Sequence, residues 1–365
     1  MIVKQFHFSN WRNLKENIIT PCETVNIFYG DNAQGKTNLL EALWVCSGAK
    51  SFRGAKENEM IAFEEQRAKL QLNFLAKERE QELVYSLGSK KKVLLNNVEK
   101  KKLSDLYETI FMVVFAPNHL NLVKEGPAVR RNFIDFGLER LKPSFITLEE
   151  QYNRALDQRN SLIREQNFQH FGEEMLELWE EHLANLGSKM VYQRQKYVEH
   201  IIHFATNFYY ELSGKKEKLS LAYEGSEFSS EHNGYELLKQ ALKESRENDH
   251  RVGYTTVGPH RHDLNITING VSARIFGSQG QQRSAALALK MAEAEVLSEY
   301  VGETPIILLD DVMSELDGER QDFLLNKFIG RQIFITCCDP ASVLRMVEGK
   351  TFYIKQGEIY EETKQ

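Results

Sequence analysis

FYGDNAQGKTNLLEA, residues 28–42, is the stretch on which the reading of this chain turns. An apolar pair, Phe28 and Tyr29, leads into a turn holding Gly30 and Gly35, then Lys36 and Thr37, then apolar residues at helical spacing. Those four residues fill every fixed position of the phosphate-loop pattern GxxxxGK(S/T). The spacing has a physical reason. Glycines let several backbone N–H groups converge on one concavity, and the helix that follows adds its positive end beneath the phosphates. Lys36 then reaches the β- and γ-phosphates, and the Thr37 hydroxyl sits on Mg²⁺. ETVNIFYG (23–30) before the loop is rich in strand formers, and TNLLEALWVC (37–46) after it is helical in pattern. The residues expected to hold the nucleotide are Gly30, Asn32, Gly35, Lys36, Thr37 and Asn38, with Lys36 also serving catalysis. Taken alone, the loop also admits the reading of an incidental glycine-rich turn.

A chain of 365 residues with 42% apolar and 27% charged residues is an ordinary globular one with room for two or three domains. It has no run of about 18 apolar residues, and its first residues, MIVKQFHFSN, lack the apolar core of a secretory signal. A cytoplasmic protein without a membrane span is expected. Cys22, Cys46, Cys337 and Cys338 include no CxxC pair, so reduced thiols are expected rather than zinc or disulfides. The net charge of −6 gives no overall attraction to nucleic acid, so any such contact has to be local. Candidates are SKKK (89–92), Lys100, Lys101 and Lys102, Arg130 with Arg131, RQK (194–196) and KK (215–216). Each cluster singly also reads as a solvated loop tip that keeps a strand edge from pairing. Lys100, Lys101, Lys102, Arg130 and Arg131 are the preferred DNA contacts.

Residues 1 to about 120 read as short strands around one phosphate-loop helix. SFITLEEQYNRALDQRNSLIREQ (144–166) and EEMLELWEEHLANLGSKMVYQRQKYVEHIIHFATNFYYELSG (173–214) read as long helices. The last hundred residues alternate helix and strand, which implies a parallel α/β sheet. The expected organisation is an ATPase lobe from 1–120 and 245–365, with a compact, mainly helical lobe inserted at 121–244. About 70 helical residues are too few for a long coiled-coil arm.

TPIILLDDVMSELD (304–317) sets the apolar run Ile306 to Leu309 before Asp310 and Asp311, the pattern of a buried strand that delivers carboxylates at its C-terminal end. Asp310 is expected on Mg²⁺, and Asp311 is expected to polarise the attacking water. FGSQGQQRSAALALKMAEAEVLSE (276–299) resembles the signature motif of ABC-type ATPases, with Ser278, Gly280 and Gln281 in its Ser-x-Gly-Gln positions. A helix after it, roughly 28 Å long at 1.5 Å per residue, separates the signature from the acids. The signature is therefore expected to close on the ATP of a second copy in a face-to-face dimer. A Ser-x-Gly that merely caps a helix is the alternative.

Together, GDNAQGKTNLLEA (30–42), FAPNHLNLVKEGPAVRRNFID (115–135), TTVGPHRHDL (255–264), SQGQQR (278–283) and LLDDVMSELD (308–317) resemble the RecF family. The resemblance implies an α/β ABC/SMC-type ATPase head without long arms. It implies a weak, DNA-stimulated ATPase that dimerises on ATP with Mg²⁺ and clamps double-stranded DNA. It further implies work with RecO and RecR to load recombinase at gaps. The chain departs from the family pattern at Asn118 and His119, where Glu-Asp is common. Asp311 is one methylene shorter than the Glu of transporter-type heads, which fits slow hydrolysis. No switch histidine follows IFIT, where Thr336 is the nearest polar residue. An ABC transporter ATPase subunit and a phosphate-loop small-molecule kinase are the alternative functions.

Overall fold

The computed structural model describes residues 1–164, 172–229 and 233–362. In chain order the strands and helices begin with β1 (Ile2–Ser9), β2 (Asn17–Ile19), β3 (Val25–Tyr29), α1 (Lys36–Cys46), β4 (Ala68–Ala76) and β5 (Arg79–Leu87). Next come β6 (Lys92–Leu95), β7 (Val98–Glu99), β8 (Met112–Phe115), α2 (Pro127–Leu141), α3 (Ser144–Arg164) and α4 (Gly172–Leu212). They are followed by β9 (Leu219–Tyr223), α5 (Gly234–Glu244), α6 (Arg246–Val252), β10 (Leu264–Ile268), β11 (Val271–Ser272) and α7 (Ala273–Phe276). The chain ends through α8 (Gln279–Val301), β12 (Ile306–Asp310), α9 (Gly318–Lys327), β13 (Ile333–Cys337), α10 (Ala341–Leu344), β14 (Gly349–Lys355) and β15 (Glu358–Glu362). Glu165 and Gln166, the end of the first long helix expected from sequence, lie outside the described residues.

Two compact units emerge: Met1–Leu120 with Glu293–Gln365, and Asn121–Ala292. The first unit holds a sheet of order β15-β14-β3-β13-β12-β8, in which only β15 is antiparallel to its neighbour. Strands β12 and β13 inside this sheet and β8 at its edge are buried at every position, as a parallel sheet covered on both faces requires. Helix α1 is buried at nine of its eleven positions, so it is covered nearly all round. The same unit holds an antiparallel sheet of order β2-β1-β4-β5-β6-β7. There β4 alternates strictly between buried and more exposed positions, the signature of a sheet with one covered face. The sequence reading pooled every strand before 120 into one mixed lobe. In the structure β3 and β8, the two strands buried at nearly every position, join the parallel sheet, while the alternating strands form the other.

The second unit packs α4 against α3 and α5 and carries a three-stranded antiparallel sheet of order β11-β10-β9. That sheet keeps the residues after 245 with the insert, and the boundary falls inside α8 at 293 rather than at 245. Buried arginines tie this unit together. Arg194 grips Asp135 with two bonds of 2.7 Å and donates to the Pro259 carbonyl at 2.6 Å. Arg159 bonds Asp249 at 2.7 Å and Thr255 at 2.8 Å, all three buried. His260 donates from Nε2 to the Thr255 carbonyl at 3.0 Å and accepts from the Tyr152 hydroxyl at 2.7 Å. Burial pushes its imidazole down to about 4, so it stays neutral. TTVGPHRHDL, one of the stretches that carried the family resemblance, is thus a structural knot of the helical unit. Removing one partner of such a buried pair typically costs about 3–5 kcal/mol.

Candidate functional site

The loop between β3 and α1 has the backbone its glycines promised. Gly30 has φ +150, and a Cβ there would lie 2.3 Å from the Ile354 carbonyl oxygen; Gly35 has φ +118 and would strike Leu14 at 2.7 Å. Only glycine meets both demands. Lys36 is buried, and its ammonium donates to the Gly30 carbonyl at 2.7 Å and the Asp31 carbonyl at 2.9 Å. Asn38 donates to Asn13 Oδ1 at 2.7 Å and accepts from Arg53 at 2.8 Å, so its side chain fixes the loop's neighbours.

The acids arrive on β12, two strands from β3, with β13 between. Thr336 on β13 is paired in register with Asp310. Its hydroxyl donates to Asp310 Oδ1 at 2.9 Å and accepts the Asp311 N–H at 2.9 Å. Thr336 is fully buried and positions the acid pair, which is the role the structure gives the polar residue that stood nearest the missing histidine. Burial raises the Asp310 carboxyl to about 6, against the hydrogen bonds from Thr336 and Thr37 that lower it. Asp311 is also raised by burial and is held down by the charge of Lys36. Neither acid has an ion-pair partner among the described residues. A buried carboxylate beside a threonine hydroxyl is the hard oxygen donor set that a divalent cation takes. The loop and acid residues expected from separate motifs, Lys36, Thr37, Asp310 and Asp311, therefore meet in one cluster.

A cavity of about 980 Å³ opens over this cluster. Sequence reasoning missed the residues on its other side. Arg12 and Asn13 come from the turn after β1, Arg53 from the loop after α1, and Phe63 from a turn that leaves it 92% exposed. Arg12 is held by Glu41 through two bonds of 2.8 Å. Only the buried acid Glu41, inside an apolar helix, hinted that a cation must be folded against it. Asn118 donates to the Phe52 carbonyl at 3.4 Å, beside Arg53 in sequence.

Ser278 caps α8 reciprocally with Gln281: its Oγ accepts the Gln281 N–H at 3.2 Å, and its own N–H donates to Gln281 Oε1 at 2.8 Å. The Gln281 amide also donates to Glu217 at 2.6 Å. Ser278 stays exposed, with Gly280 half-buried in the first turn behind it.

The basic candidates separate sharply. Arg130 is corrected: it lies within α2 rather than in a turn, is 2% exposed, and grips Asp263 through two bonds of 2.7 Å. Its Nη1 donates to the carbonyls of Leu122, Val123 and Glu125, so the guanidinium is buried and turned inward rather than toward a phosphate in solution. Arg131 is half-buried and donates to the His262 carbonyl at 2.9 Å, which weakens its candidacy too. Lys101 and Lys102 are exposed, and Lys100 is half-buried. The Lys100 N–H donates to the Val93 carbonyl at 2.9 Å, which brings 100–102 beside Lys90, Lys91 and Lys92 on one edge of the β6–β7 hairpin. The hairpin backbone thus brings together two lysine clusters that lie eight residues apart in sequence, with Lys91 paired to Glu57 at 2.5 Å.

A family model described as "RecF/RecN/SMC N terminal domain" matches residues 2–359. The chain is 36% identical over 365 residues to a Clostridium acetobutylicum protein called "DNA replication and repair protein RecF", covering 99% of this chain and 100% of that one. A protein of the same description from Caldanaerobacter subterraneus is 38% identical over 352 residues, covering 94% and 96%. Among solved structures, one described as "recombination mediator protein RecF-ATP in RecFOR pathway" superposes with a TM-score of 0.89 at 36% identity, covering 99% of this chain and 98% of that one. An Smc head domain from Pyrococcus furiosus superposes with a TM-score of 0.57 at 14% identity, covering 99% and 96%, a likeness of fold. Among the described residues no helix is long and apolar enough to cross a membrane.

Proposed function

The chain belongs to the RecF family of SMC-type ATPase heads, and from that premise we propose that it is an ATP-driven switch of DNA replication and repair. ATP with Mg²⁺ joins two copies face to face, and the pair clamps double-stranded DNA near gaps. The clamp helps RecO and RecR load recombinase, and weak, DNA-stimulated hydrolysis resets it. One observation carries the reading: the phosphate-loop residues Lys36 and Thr37 meet the acids Asp310 and Asp311 in a cluster held by Thr336. In it Thr37 and Asp310 hold Mg²⁺, Lys36 neutralises the terminal phosphates, and Asp311 polarises the water. The signature, an exposed capped helix start, supplies backbone N–H groups to the γ-phosphate of the partner's ATP. A transporter subunit and a small-molecule kinase share the phosphate loop, but a match to RecF proteins over the whole chain favours neither.

Substitution at the signature tests this arrangement. Ser278→Arg places a bulky cation at an exposed helix start and leaves every phosphate-loop residue unchanged, so ATP binding survives while size-exclusion chromatography with ATP shows no dimer. Mixing it with Lys36→Ala leaves one composite site with both parts intact, Lys36 from one chain and Ser278 from the other. Partial recovery of turnover in the mixture is expected. A Ser278→Arg protein that fails to bind ATP would show that the signature does not act in trans.

The DNA contact is expected on the lysine patch rather than at Arg130. A dimer presents the patch twice, so ATP strengthens duplex binding although the chain is acidic overall. Contacts to phosphate make affinity fall steeply with salt and nearly independent of sequence. Replacing Lys100, Lys101 and Lys102 with alanine should reduce the salt slope by about one unit for each DNA phosphate no longer neutralised, with ATP-dependent dimerisation intact. An unchanged slope assigns these lysines to protecting the sheet edge.

A further inference from the structure

We infer that Cys338 is a positioning residue of the phosphate loop, a thiol that braces Lys36 and Asn32 at the point where the terminal phosphates of the nucleotide bind. The inference rests on the ATP-binding reading above and adds a residue to it. Strand β13 lies between the two halves of the site, and it touches both. On one side Thr336 holds Asp310 and the Asp311 N–H. On the other, Cys337 pairs in register with Tyr29, so Cys338 follows the strand level with Gly30, where the phosphate loop leaves β3.

The contacts of Cys338 give it a function. Its Sγ donates to Asn32 Oδ1 at 3.2 Å and accepts from Lys36 Nζ at 3.6 Å. An ammonium has three N–H donors, and two of those on Lys36 are spent on the carbonyls of Gly30 and Asp31. The third is directed at sulfur, a weak acceptor, and is the one released most cheaply to a phosphate oxygen. The thiol therefore holds the lysine in place without competing strongly for it. A phosphate that takes this third donor comes to lie against the sulfur, and any larger group on the sulfur excludes it.

The four cysteines differ in access, which makes the position readable. Cys46 and Cys337 are buried, Cys22 is half-buried and Cys338 is exposed. N-ethylmaleimide adds to a thiolate, forming one S–C bond as the ring double bond takes up a proton, and peptide mass spectrometry then gives the rate at each cysteine. With ATP at about ten times its Kd, roughly a tenth of the sites are free, so labelling of Cys338 should slow about tenfold. Saturating tripolyphosphate should protect equally, adenosine should not, and Cys22 should label at the same rate throughout. Alkylated protein should lose ATP binding. Cys338→Ser should resist that loss and bind ATP within about threefold of the parent, because a hydroxyl takes both contacts. Equilibrium dialysis on the same samples separates the two readings. ATP that binds while Cys338 labels at an unchanged rate overturns the placement of the thiol and leaves the nucleotide site standing. ATP that does not bind overturns the nucleotide site, and this inference with it.

Discussion

Lys36→Ala should cost ATP affinity on the order of 10² to 10³-fold and abolish both ATP-dependent dimerisation and turnover. Two effects add. The incoming phosphates lose a cation whose charge-assisted hydrogen bonds contribute roughly 1.5–3 kcal/mol each, and about 1.4 kcal/mol is a factor of ten in Kd. The carbonyls of Gly30 and Asp31 also lose the donor that holds them at 2.7 and 2.9 Å, so the loop itself is less ordered. Isothermal titration of ATP measures the first loss and size-exclusion chromatography the second. The backbone should survive, since Gly30 and Gly35 set the turn by their own positive φ and close packing. A thermal melt within a few degrees of the parent's checks this. Dimerisation on ATP at parental concentrations would place the nucleotide elsewhere.

The parts of the site that could be read from sequence are those whose chemistry is local. The phosphate loop needs two glycines, a lysine and a hydroxyl within eight residues, and the acid pair needs a buried strand before it. Both signals survive without knowledge of the fold, and the parallel sheet then follows from continuous apolar runs such as those at β12 and β13. The far wall of the cavity was not legible. Arg12, Arg53 and Phe63 come from three separate turns, and none has a spacing that announces its destination. Arg130 misled for a related reason. A pair of arginines reads as exposed charge, yet its partner Asp263 is 133 residues away, and nothing near Arg130 in sequence reveals that it is buried. Charge in a sequence tells what a residue can bond, while burial decides whether that bond is already made. The lysine patch is the converse case, since a hairpin joins two clusters that the sequence keeps apart.

Asp311→Asn should separate binding from chemistry. The backbone tolerates the exchange, because Asp311 sits in the left-handed region at φ 50, where asparagine is as acceptable as aspartate. The proposed metal donors are untouched: Asp310 keeps its bonds from Thr336 and Thr37. Lys36 loses a nearby negative charge, which strengthens rather than weakens its hold on phosphate. What disappears is the carboxylate, which burial makes a better base than an exposed aspartate. Removing one such group typically lowers the rate by about 10² to 10⁴-fold. The expected protein binds ATP with at least parental affinity, dimerises, and releases phosphate at a rate reduced by that factor, so that the ATP dimer accumulates and holds duplex DNA longer. Phosphate release under single-turnover conditions gives the chemical step directly, and chromatography with ATP and duplex gives the trapped species. If hydrolysis continues at the parental rate, the base lies elsewhere. If ATP binding is lost together with the rate, Asp311 belongs to the metal's shell beside Asp310, and the two acids do not divide the labour.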